Sequence, residues 1–165
     1  MFGSSGGRLH RRAGQSDSAA FGNDHAVGAG ADGIIIPERR AAGLTGTAVK
    51  ASAGASEHLP IARVTNISRT LDELKERNVW TVGLDERGSQ SYDELDYKMD
   101  CAIVLGAEGK GLHDLVRRRC DFLVSIPMLG HVPSLNVSVA GAVVMYEVAR
   151  QRRIQAPTHR TKSSR

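Results

Sequence analysis

The side chains best placed to do chemistry lie in two short segments, Gly106-Ala107-Glu108-Gly109-Lys110-Gly111 and Pro127-Met128-Leu129-Gly130-His131-Val132-Pro133-Ser134. The glycines of the first permit positive φ and close backbone approach, so main-chain N–H groups can face a bound molecule. Glu108, its one acid, either orients a substrate, carries a contact to a second subunit, or is an exposed carboxylate without a role. The second segment delivers the chain to Ser134, a suitable N-cap for a following helix. Asn136 and Ser138 either offer donors to a ligand or bond the preceding loop.

Spacing tests two familiar phosphate loops. Gly106 and Gly111 fit the outer glycines of Gly-x-x-x-x-Gly-Lys-Ser/Thr, but Leu112 and His113 stand where Lys and Ser/Thr are required. A nucleoside triphosphate site is therefore not expected. The dinucleotide fingerprint Gly-x-Gly-x-x-Gly is not met either, because the order here is Gly-x-x-Gly-x-Gly and it falls late in the chain.

The elements that must position these loops are short and apolar. Cys101-Ala102-Ile103-Val104-Leu105 and Phe122-Leu123-Val124-Ser125-Ile126 have the length and β-branched content of buried parallel strands. Residues 135–149 form a helix apolar on nearly every side, which is normally buried. Upstream, Gly33-Ile34-Ile35-Ile36-Pro37 reads as a strand stopped by proline, followed by a helix through Ala41, Leu44 and Val49. Ile61-Ala62-Arg63-Val64-Thr65 is a strand, and Thr70-Leu71-Asp72-Glu73 offers a capping box for a helix through Arg77. Trp80-Thr81-Val82-Gly83-Leu84 is the next strand, and Gly88 to Lys98 a polar surface excursion. This alternation predicts an α/β fold with a mainly parallel sheet flanked by helices and a ligand at the strand C-termini.

The 165 residues suit one compact domain. A net charge of +4 with a pI near 9.4 is compatible with a polyanionic partner, and the low aromatic content, 4%, favours backbone contacts from Lys and Arg over base stacking. Cys101 and Cys120 lack metal-ligand spacing and read as reduced thiols. With no signal-like or membrane-spanning apolar run, the expected compartment is the cytoplasm. Residues 1–28 show no strand or helix periodicity and read as a flexible or aberrant arm, residues 29–153 as the domain, and 154–165 as a basic tail.

Gly106-Ala107-Glu108-Gly109-Lys110-Gly111, Ile126-Pro127-Met128 and Ser134-Leu135-Asn136-Val137-Ser138-Val139-Ala140, in this order, resemble the second and third motifs of the SpoU-type RNA ribose 2′-O-methyltransferases of the SPOUT superfamily. Gly33 to Pro37 and Ser52-Ala53-Gly54-Ala55-Ser56-Glu57 extend the resemblance upstream, and the bacterial 23S rRNA guanosine branch is the most similar. The resemblance implies a C-terminal trefoil knot, a homodimer, an RNA substrate, large-subunit ribosomal RNA above all, and S-adenosyl-L-methionine as cofactor. It assigns cofactor contacts to Gly106, Gly109, Gly111, Ile126, Met128 and Leu135, with core filling the alternative for Met128. Glu108, Ser134 and Asn136 match supporting catalytic positions, although a cap serves equally for the last two.

The family's Asn-x-x-x-x-Arg motif is missing. Counting back from Gly33, the expected places are held by about Ala19 and Asp24, and an anionic Asp24 cannot stand in for a guanidinium. The change of character near Ala29 suggests a truncated or frame-altered N-terminus, with a catalytically silent RNA- or cofactor-binding remnant as the alternative function.

Overall fold

The computed structural model describes residues 13–15, 26, 28–38, 59–106, 111–131 and 134–155. Among the described residues seven strands, β1 (Ala13–Gln15), β2 (Ile34–Pro37), β3 (Ile61–Val64), β4 (Trp80–Leu84), β5 (Gln90–Ser91), β6 (Cys101–Leu105) and β7 (Phe122–Ser125), make one sheet in the order β3-β2-β1-β6-β4-β7-β5. All of its pairings are parallel. The helices among the described residues include α1 (Ile67–Glu76), α2 (Asp114–Arg119) and α3 (Val137–Gln155).

The two-residue period of a strand divides the core into layers. From β6, Ala102 and Val104 join Leu71 and Leu74 of α1 and Val116 of α2 on one face. Cys101, Ile103 and Leu105 point the other way, to Val82, Val124, Tyr97 and Val144 of α3. The sheet is therefore covered on both faces, which is why β6 is apolar at every position and buried throughout. A Cβ at Gly141 of α3 would stand 2.6 Å from Leu105 Cδ1, so the missing side chain sets how closely helix and strand approach.

Several local expectations are corrected. Ala13-Gly14-Gln15 carries no β-branched or aromatic residue, yet it lies between β2 and β6, opposite Ile34 and Ile35 on one side and Val104 and Leu105 on the other. Two flanking strands with open hydrogen-bonding edges select this backbone, whatever its propensity. Ala26 is also buried, 2% exposed, against Ile34, Ile36 and Met145, so the core takes in a residue of the arm expected over 1–28.

α1 starts at Asn66, whose Oδ1 accepts from Arg69 N–H at 3.2 Å. Thr70, the expected cap, lies inside the helix and its hydroxyl donates back to the Asn66 carbonyl at 3.0 Å. α3 begins two residues later than expected, with Asn136 Oδ1 accepting from Ser138 N–H at 2.9 Å and from the Ser138 hydroxyl. Asn136 thus takes the capping contact assigned to Ser134.

The polar stretch from Gly88 to Lys98 contains edge strand β5 and buries Leu95 and Tyr97. It is stapled to the end of α3: Gln151 accepts from Tyr97 N–H and donates to the Leu95 carbonyl, while Arg152 donates to the carbonyls of Tyr97 and Met99 at 2.8 and 2.7 Å. α3 itself is not buried all round, since Val139 and Tyr146 are 47% and 52% exposed. The helix expected around Ala41 to Val49, and the positions of Ala19 and Asp24, lie outside the described residues.

Candidate functional site

Strands β6, β4 and β7 are neighbours and run the same way, so the loops after Leu84, Leu105 and Ser125 gather at one end of the sheet. There they enclose a cleft of about 450 Å³. Such a volume suits a nucleoside-sized ligand.

The loop after β6 supplies Gly106 and Gly111. A Cβ at 106 would fall 2.5 Å from Leu112 N and closer still to the Gly111 carbonyl, and Gly111 has φ +64°. Only glycine fits the first position, and a side chain would strain the second. The loop after β7 supplies Ile126, Met128, Ser134 and Leu135, an apolar wall with one hydroxyl, and α3 closes the floor with Val137 and Ala140. Met128 and Leu135 are each 37% exposed, so they face open space in the cleft instead of filling the core.

Charge enters from the loop after β4 and from α2. Asp85 is 9% exposed. Its N–H donates to the Val124 carbonyl at 3.0 Å, its carbonyl accepts from Gly88 N–H at 2.9 Å, and its Oδ1 accepts from Arg87 N–H at 2.9 Å. This is a tight turn with Asp first and Gly fourth, the side chain folded onto the backbone. From α2, Arg117 donates to Asp114 at 2.7 Å, and both line the cleft.

The chain matches the SpoU rRNA methylase family over residues 25–146. It belongs to that family. YacO of Bacillus subtilis (strain 168), whose name places it among TrmH family tRNA/rRNA methyltransferases, is 55% identical over 123 residues, 74% of this chain and 49% of that protein. This chain therefore spans about half the length of the curated relatives it matches. The SpoU methyltransferase AviRb from Streptomyces viridochromogenes, solved in complex with the cofactor AdoMet, superposes with a TM-score of 0.78 at 29% identity, over 88% of this chain and 61% of that one. An AdoMet-bound rRNA methyltransferase from Sinorhizobium meliloti gives 0.73 at 26% identity, over 86% and 56%.

Of the family positions expected in the site, Gly106, Gly111, Ile126, Met128, Ser134 and Leu135 come together around the cleft. Asn136 does not line it. Its side chain caps α3, and that contact fixes the backbone carrying Ser134 and Leu135. Glu108 and Gly109 lie outside the described residues. Asp85, Arg87, Asp114 and Arg117 were not anticipated. The available signal was positional: Asp85 is the first residue after strand Trp80–Leu84, where ligands gather in a parallel sheet.

Arg150 and Arg152, near the end of α3, are engaged within the protein. Arg150 makes a two-pronged pair with Glu147, its hydrogen bonds holding the Glu147 carboxyl below the usual range, and Arg152 holds the loop carbonyls named above. Among the described residues no group of three or more His, Cys, Asp or Glu side chains could hold a metal ion, and no helix is long and apolar enough to cross a membrane.

Proposed function

We propose that this chain binds S-adenosyl-L-methionine in the cleft and carries the methyltransferase domain of an RNA ribose 2′-O-methyltransferase acting on 23S ribosomal RNA. The observation that carries the reading is the convergence of three strand-end loops on a cleft whose glycine cradle a single Cβ at 106 would fill. The AdoMet complexes of AviRb and of the Sinorhizobium meliloti rRNA methyltransferase, both similar in fold over most of this chain, support it.

The residues fit the cofactor. Ile126, Met128 and Leu135 offer a dry slot for a flat base, and the backbone at Gly106 and Gly111 offers close, directed contacts; Gly109 is assigned the same role by its place in the motif alone. The cofactor supplies an electrophilic methyl group on a sulfonium. The protein must then align a ribose hydroxyl with that methyl and exclude water. Ser134, which lines the cleft, and Glu108, by its place in the motif, are the polar side chains we assign to hold the ribose, with Asn136 capping the helix that follows Ser134. We further propose a family domain over 29–153 with β1 built into its sheet, a basic tail over 154–165, and the trefoil knot of the family.

The exposed Val139 and Tyr146 on α3 support a homodimer through this helix. Light scattering tests it, and a monomer mass across a wide concentration range rejects it.

Asp24 in place of the motif arginine favours a second reading, in which cofactor binding persists without turnover. Transfer of labelled methyl from S-adenosylmethionine to unmodified ribosomal RNA separates the two. Robust transfer by the unaltered chain supports an enzyme that draws on another cation. Calorimetric cofactor binding without transfer supports the silent remnant, and no saturable heat from the folded protein rejects the cofactor reading.

A further inference from the structure

A nine-tenths buried carboxylate is costly unless both oxygens are satisfied. Asp85 is 9% exposed and its Oδ1 is taken by Arg87 N–H. Its Oδ2 lies 4.0 Å from where a Gly111 Cβ would stand, on the cleft side, and no described residue donates to it. The turn leaves that oxygen little freedom. Gly88 is pinned against the β7 backbone, a Cβ there falling 2.6 Å from Ser125 N, and the Asp85 amide is tied to Val124. A carboxylate oxygen accepts hydrogen bonds, so this one stands open at the cleft to a donor brought by the ligand.

We propose that Asp85 is a specificity-determining residue that receives the ribose hydroxyls of the bound nucleoside. The inference rests on the cofactor reading above and adds to it the group that selects the sugar. Three donors of S-adenosylmethionine compete for the assignment, the ribose diol, the adenine 6-amino group and the amino group of the methionyl end. Position argues against the last, and a probe without the sugar hydroxyls separates the other two. Asp85 is hydrogen-bonded to Val124, two residues before Ile126 of the apolar wall, and Leu84 of the same wall precedes it in the chain. The sugar is bonded directly to the base that the wall receives, whereas the amino group lies at the far end of the ligand. A carboxylate at a strand end meeting a ribose hydroxyl is the solution that dinucleotide-binding sheets reach independently.

The experiment is calorimetry on the full chain and on Asp85→Asn, with two probes, S-adenosylhomocysteine and 5′-methylthioadenosine, the second lacking the amino-acid end. Asn keeps the Oδ1 acceptor for Arg87 N–H, so the turn is retained, and circular dichroism verifies the fold. The expected result is a loss of about tenfold or more, equal for both probes. A third probe, S-adenosylhomocysteine without its ribose hydroxyls, tests the contact without altering the protein. It should bind the unaltered chain weakly and Asp85→Asn no more weakly still; a further loss on Asp85→Asn places the carboxylate at the adenine amino group and overturns the proposal. Loss confined to S-adenosylhomocysteine overturns the proposal by placing the carboxylate at the amino group, and unchanged affinity for both probes overturns it outright. An unaltered chain that binds neither nucleoside rejects the cofactor reading and this proposal together.

Discussion

Gly106 lies so close to the backbone of Gly111 and Leu112 that residue 106 has no room for a Cβ. Main-chain atoms cannot swing aside as a flexible side chain would. Gly106→Val should therefore abolish S-adenosylmethionine binding and destabilise the domain, and Gly106→Ala should cost about 1–3 kcal/mol through overpacking. Gly130, which has nothing within 4 Å of its own added Cβ, is the control: Gly130→Ala should bind normally by calorimetry and melt within a degree or two of the unaltered protein.

At Gly141 the obstruction is a side chain, Leu105 Cδ1, itself buried at the floor of the cleft. Alanine gains about 1 kcal/mol of helix propensity there but must displace Leu105. Valine adds bulk without that gain. Gly141→Val should lower stability by about 2–3 kcal/mol in urea titration and weaken cofactor binding through Leu105.

The clamp at the end of α3 predicts a local effect. Arg152→Ala leaves the Tyr97 and Met99 carbonyls without the donors that now serve them, at a cost of about 2–3 kcal/mol. Hydrogen exchange should accelerate across residues 92–101 more than in β4 or β6. A uniform rise across the sheet would argue that the clamp is not local.

Stability should fall at both ends of the pH range. Burial works against ionisation of Asp121, but hydrogen bonds from the Thr81 hydroxyl and amide and from Lys75 outweigh it and hold the carboxyl below its usual range. A depressed folded-state value contributes stability above the unfolded value, about 3.9, and loses it as pH falls through the folded one. Asp121→Asn should thus cost about 1–2 kcal/mol at neutral pH, with the difference shrinking below about pH 4. Burial pushes the Cys120 thiol up to about 12, and burial followed by Cys101 raises the Tyr97 hydroxyl above its ordinary range. Both raised groups contribute stability that is complete below their unfolded values and lost as pH rises. Urea midpoints should decline above about pH 9, and native Cys120 should resist alkylation at pH 8.

The sequence by itself determined the parallel α/β architecture and the two loops that form most of the cleft. Both follow from strongly periodic or continuously apolar runs. β4 and β6 occupy the expected residues, and Gly106, Gly111, Ile126 and Leu135 meet where strand ends must meet. Only the tertiary structure decided the features whose partners are distant along the chain. β1 is selected by the edges of β2 and β6, Tyr97 is buried by contacts with α3, and Asn136 displaces Ser134 as cap because the helix begins where packing on β6 allows it. Asp85 is the sharpest case. Along the chain it is one acid in a polar turn, and it becomes a cleft carboxylate only because β4 lies between β6 and β7, which puts Gly111 and Val124 on either side of it.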